Sequence, residues 1–113
     1  MMTTAKRFCP AAAVAVLIAP APAFATNIAG NPAAGKLIFH ANNCGSCHTL
    51  KAAGATGLIS SNLDKKKASY ATIVRVVTAG TTKNGLAMPA YKGALSTKQI
   101  QNVAAFVYSS THR

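Results

Sequence analysis

The run Cys44-Gly45-Ser46-Cys47-His48 constrains this chain more than any other feature. It sets two thiols two residues apart, with an imidazole directly after the second. A disulfide between them would close a trivial loop and restrict the unfolded chain very little. A structural zinc site needs four ligands, usually in paired spacing, and downstream of the leader described below only His40 and His112 remain to complete it. A thioredoxin-type redox pair belongs in a strand–helix–strand setting, and no run here alternates convincingly as a strand.

The use that fits is covalent haem attachment. Two thiols one helical turn apart can add to the two vinyl groups on one porphyrin edge, and the adjacent His48 is then held where its imidazole binds the iron axially. Chain length points the same way. Lys6 and Arg7 precede an apolar run from Ala11 to Ala19; Pro20 and Pro22 follow, and Ala23-Phe24-Ala25 offers the small residues of a cleavage site. Residues 1–25 therefore read as a secretory signal peptide, cleaved after Ala25, that takes Cys9 with it. The apolar run is nine residues, far short of the roughly 20 that a membrane-spanning helix needs. One domain remains, residues 26–113, or 88 residues. Domains this small bury little apolar surface and usually need a staple. With only Cys44 and Cys47 left, the cofactor is the available one.

The 26–113 domain carries ten Lys or Arg against a single acid, Asp64, a formal net charge of +9. That balance favours anionic partners. No aromatic residues are interleaved with the basic ones as a single-strand nucleic-acid binder would need. For an exported chain the expected partner is an acidic protein surface or an anionic membrane, with no nucleic acid. Lys51, Lys65-Lys66-Lys67, Lys83 and Lys92 fall in segments expected to frame the cofactor. They read either as a solvated face or as a docking ring.

Helical signals dominate the domain. Asn31-Pro32 reads as an N-cap and first helical residue, opening a helix to about Asn42. Ser69 caps a second, Tyr70 to Ala79, with Ile73, Val76 and Val77 on one face and Gly80 placed to end it. Ser96 caps a third that runs to about Ser109, with Ile100, Val103, Ala104, Phe106 and Val107 as its apolar face. Residues 50–64 and 81–95 read as loops. The expected fold is all-α, three main helices and long loops wrapped around one cofactor.

Met88 is the single methionine of residues 26–113 and sits in Ala87-Met88-Pro89, within the second loop. It is either a core residue filling an irregular gap or the sixth ligand of the iron. A neutral thioether opposite His48 would favour ferrous iron and raise the potential. His40, near a helix end, and His112, on the C-terminal tail, read as surface residues.

These residues together resemble the class I mono-haem c-type cytochromes, especially the short bacterial and photosynthetic electron carriers. Cys44, Cys47 and His48 match that family's haem site, and Met88 its axial methionine. Gly35 and Phe39 match its first-helix contact with the last helix, where Val103 and Phe106 are the counterparts. Tyr91, Leu95 and Ile100 fit the C-terminal pattern. One stretch departs: where the family has Gly-x-x-Gly-Pro-x-Leu, this chain reads Gly57-Leu58-Ile59-Ser60-Ser61-Asn62-Leu63. In the family the Pro carbonyl accepts a hydrogen bond from the axial His; the Ser61 carbonyl is expected to do the same here.

The resemblance implies a small cytochrome c fold holding one haem c through Cys44 and Cys47, with His48 and Met88 on the iron. It implies a monomeric, soluble one-electron carrier, not an enzyme, exported to a periplasm or thylakoid lumen. Such a carrier shuttles between redox complexes of a respiratory or photosynthetic chain, with redox partners of acidic docking surface and transient contact with membrane complexes. The competing readings are a haem subunit bound tightly to one dehydrogenase or oxidase, and a ligand-binding haem protein with an open sixth position.

Overall fold

The computed structural model describes residues 28–113; the signal peptide assigned to residues 1–25 lies outside them. Among the described residues there are four α-helices: α1 (Pro32–Ala41), α2 (Leu63–Lys66), α3 (Tyr70–Ala79) and α4 (Thr97–Thr111). The three long ones start on the expected caps. The Asn31 side chain accepts from the Ala34 amide, Ser69 from Thr72 and Ser96 from Gln99, each satisfying an N–H that the helix itself cannot. At α4 the cap is reciprocal, because Gln99 Oε1 accepts from the Ser96 amide at 2.8 Å.

The all-α expectation is corrected by two small antiparallel hairpins. β1 (Thr49–Leu50) pairs with β2 (Ala55–Thr56), and β3 (Thr81–Lys83) with β4 (Leu86–Met88). The second turns on Asn84-Gly85, both at positive φ (54° and 80°), the backbone that a two-residue hairpin turn demands. The signal was present in the sequence as Asn-Gly between two short runs. It was masked because those runs are exposed and carry no apolar alternation. Residues 50–64, expected as a loop, hold β2, a 3₁₀ turn over Lys51–Ala53 and the start of the four-residue α2.

The scaffold is the crossing of α1 and α4. A Cβ built on Gly35 would lie 1.9 Å from the Asn102 carbonyl oxygen, so only glycine allows this approach. The contact is locked beside it. The Asn31 amide donates to Asn102 Oδ1 at 2.8 Å, and Phe39 meets Phe106 edge-to-face at 5.7 Å between centroids. Around this crossing Phe39, Leu50, Ile73, Val103, Ala104, Phe106 and Val107 form one buried cluster. Ile100, Val103, Ala104, Phe106 and Val107, the expected apolar face of α4, are all buried. Asn102 and Thr111 are the buried polar side chains, and both are bonded: Thr111 Oγ1 donates to the Val107 carbonyl at 2.9 Å.

Candidate haem site

The cysteine pair sits directly after α1. Asn43 turns left-handed (φ 54°) and starts a 3₁₀ turn over Cys44–Ser46. The Cys47 and His48 amides both donate to the Cys44 carbonyl, at 3.3 and 3.1 Å. The spacing thus becomes one compact turn, with both thiols half-buried and not joined to each other. Burial pushes the Cys44 thiol above its ordinary pKa, and the neighbouring Cys47 acts in the same direction.

The segment after β2 is stapled onto this turn. The Gly57 amide donates to the Gly45 carbonyl at 3.1 Å and the Ser60 amide to the Cys47 carbonyl at 2.8 Å. Thr49 Oγ1 donates to the Gly57 carbonyl at 2.7 Å. These bonds set Ser61 beside His48, and His48 Nδ1 lies 2.8 Å from the Ser61 carbonyl oxygen. A carbonyl only accepts, so Nδ1 carries the proton and Nε2 is left as the electron-pair donor. The expected contact is therefore made without proline, because a backbone atom supplies it.

Met88 is positioned from the opposite end of the chain. Gly80 ends α3, and a Cβ there would come within 2.6 Å of the Met88 carbonyl. Thr81 pairs with Met88 in the hairpin, and the Tyr91 amide donates to the Val77 carbonyl at 2.9 Å. The Met88 segment is thereby tied to the C-terminal end of α3.

Between these parts lies a cleft with about 670 Å³ of empty space, part of it open to solvent. Cys44, His48 and Met88 all line it; Cys47 does not. Its walls are otherwise mostly apolar, with Phe39 from α1, Ile73, Val76 and Val77 from α3, and Val103 and Val107 from α4. A smaller compartment of about 230 Å³ shares Cys44, Val77, Met88 and Val103 with it and adds Tyr91 and Leu95. Burial, followed by the two nearby cysteines, raises the Tyr91 pKa, so its phenol stays neutral at neutral pH. An apolar slot with one thiol on its wall and the second in the adjoining turn, one imidazole nitrogen prepared as a donor and one thioether fits a flat apolar macrocycle holding an iron. His40 and His112 are exposed and outside the slot, as expected. Among the described residues, no cluster of three His, Cys, Asp or Glu side chains offers a separate metal site.

Comparison with known proteins agrees with this geometry. Residues 30–107 match the family described as cytochrome c oxidase, cbb3-type, subunit III. The chain is 35% identical over 81 residues to cytochrome c6 of Leptolyngbya boryana, covering 72% of this chain and 94% of that one. It is 37% identical over 84 residues to cytochrome c6 of Nostoc sp. (strain PCC 7120 / SAG 25.82 / UTEX 2576), covering 71% of each. Among solved structures, the c-type cytochrome SorU from Sinorhizobium meliloti superposes with a TM-score of 0.59 at 33% identity, over 72% of this chain and 91% of that one. The chain belongs to the class I mono-haem c-type cytochromes. Its cofactor is a covalently bound haem c, with Cys44 and Cys47 as the candidate attachment thiols.

The lysine run was legible as charge but not as position. Lys67 Nζ donates to the Thr111 carbonyl at 3.0 Å, capping the end of α4. Lys66 lines the cleft. Lys65, Lys51, Lys83 and Lys92 are exposed. Gly57, which fastens the loop beneath His48, opens the stretch that corresponds to the family's Gly-x-x-Gly-Pro-x-Leu; Thr49, which bonds to it, carries no motif that would have singled it out.

Proposed function

We propose that this cytochrome is an exported, soluble one-electron carrier in which His48 and Met88 are the axial ligands and Cys44 and Cys47 form the two thioethers. The observation that carries this reading is that Cys44, His48 and Met88 converge on one apolar cleft although Met88 comes forty residues after His48. Bound there, the cofactor supplies a one-electron iron couple. The chain's own part is to hold the ligands and exclude water. The Ser61 carbonyl fixes the imidazole, which keeps Nε2 available. The apolar walls disfavour net charge at the iron, and a thioether ligand favours the ferrous state; both raise the potential. The reading is a carrier and not an enzyme. Among the described residues no helix is long and apolar enough to cross a membrane, which fits a carrier free to leave its docking site. The excess of lysine suits acidic redox partners, encountered briefly by a monomer in a periplasm or lumen.

Visible spectroscopy tests the ligands. The ferric protein should show the weak long-wavelength charge-transfer band of thioether ligation, and the ferrous protein should resist carbon monoxide. Met88→Ala should abolish the band, bind carbon monoxide rapidly and lower the potential, within the ~0.8 V over which axial ligands act. Rapid carbon monoxide binding by the unaltered protein would remove Met88 from the iron and favour an open sixth position.

A second reading, a haem subunit held tightly by one oxidase or dehydrogenase, is favoured by the matched family's description as an oxidase subunit. The adjacent Leu58 and Ile59, 87% and 60% exposed, also favour it. Recovery of the protein in a stable membrane complex after salt washing would select it over the shuttle.

A further inference from the structure

Haem is an apolar ring carrying two carboxylates. The ring suits the walls of the cleft; the carboxylates do not, because bringing a charge against apolar walls is costly unless it is paired. Among the described residues, Lys66 is the one Lys or Arg that lines either compartment. Its place follows from local structure. Asn62 caps α2, and Lys67 leaves it in the left-handed region at φ 47°. All three lysines are exposed; Lys67 reaches Thr111, Lys65 lines neither compartment, and Lys66 borders the cleft. Three consecutive lysines thus have three different surroundings, and the middle one faces the cofactor's space. Thr72, in the first turn of α3, also lines the cleft. Its Oγ1 accepts from Ser69 Oγ at 3.0 Å, which leaves its own O–H to donate.

We propose that Lys66 is the carboxylate anchor of this cytochrome: its ammonium pairs with one haem propionate, and the Thr72 hydroxyl donates to the same group. The inference rests on haem c occupying this cleft. It gives the chain a second hold on the cofactor besides the thioethers. A charge-assisted bond there is shorter and stronger than a neutral one.

The test uses haem-loaded protein with the propionate carboxyls labelled with carbon-13, read by infrared difference spectroscopy. Lys66→Gln is compared with Lys65→Gln, which removes the same charge one residue away, and with Lys66→Arg. The label-sensitive carboxylate band should shift in Lys66→Gln, stay in place in Lys65→Gln and return toward its original position in Lys66→Arg. A Lys66→Gln spectrum identical to that of the unaltered protein overturns the proposal. If Lys66→Gln does not mature, nitrogen-15 spectra of the lysine ammonium groups decide: one slowly exchanging signal, lost in Lys66→Arg, supports the anchor, and its absence refutes it. Failure of the haem reading itself looks different, since purified unaltered protein would then lack the alkaline pyridine spectrum of a doubly thioether-linked haem.

Discussion

Gly35→Ala should be among the most damaging single-methyl changes in this protein. The added carbon would sit 1.9 Å from the Asn102 carbonyl oxygen, 2.5 Å from its carbon and 2.9 Å from Phe106 Cβ. Two of these are backbone atoms inside α4 and cannot rotate away. Relief requires α1 and α4 to part by about an ångström or more at their crossing. Overpacking of this kind costs about 1–3 kcal/mol. Separation also loosens the Phe39–Phe106 edge contact, worth about 0.5–1.5 kcal/mol, and the Asn31–Asn102 hydrogen bond, worth about 1 kcal/mol. The helix-propensity gain of alanine over glycine returns just under 1 kcal/mol. A net loss of about 3 kcal/mol follows, or roughly 12–24 °C in the midpoint of a domain this size. The assay is guanidinium unfolding of the haem-loaded protein followed by far-ultraviolet circular dichroism, with the visible spectrum as an independent report on the iron ligands. A loss below about 0.5 kcal/mol, the range of an inconsequential surface change, would refute the close-approach argument.

Ser96→Ala removes one half of the α4 capping box and should cost about 1 kcal/mol in the same assay without altering the visible spectrum. Ser61→Ala should leave both the spectrum and the potential unchanged, because the atom that accepts from His48 is the backbone carbonyl; a displaced potential would assign the role to the hydroxyl instead. Electron exchange with an acidic redox partner should slow about tenfold or more as ionic strength rises from ~0.01 to ~0.15 M, as screening shortens from about 30 to 8 Å. A rate indifferent to salt would remove the steering role of the lysines.

The three long helices were readable because each has both a cap and an apolar face: Ser69 and Ser96 stand directly before periodic runs, and Asn31 before Pro32. The ends are blurrier; α4 continues through Thr111, held by Thr111 and by Lys67 from outside the helix. The β3–β4 hairpin escaped because β3 is wholly exposed and β4 nearly so, leaving turn chemistry as its one local signal. The chemical centre was legible for a different reason. Cys44, Cys47 and His48 are adjacent in sequence, so spacing carries the geometry. What the sequence could not convey is which lysine borders the cleft. Lys65, Lys66 and Lys67 are identical in type, and only the turn of α2 and the left-handed Lys67 separate them.

The hydrogen bond between Asn31 and Asn102 joins residues 71 apart in the chain. Closing such a loop costs about 4 kcal/mol of chain entropy on logarithmic scaling. During synthesis α4 emerges after the Cys44–His48 segment. Until it docks, the cleft lacks the wall that Val103 and Val107 provide, and the Cys44–His48 turn stays open on that side. The topology therefore builds in a delay: the segment to be modified is made first, and the helix that shuts over it follows only after α2, α3 and both hairpins.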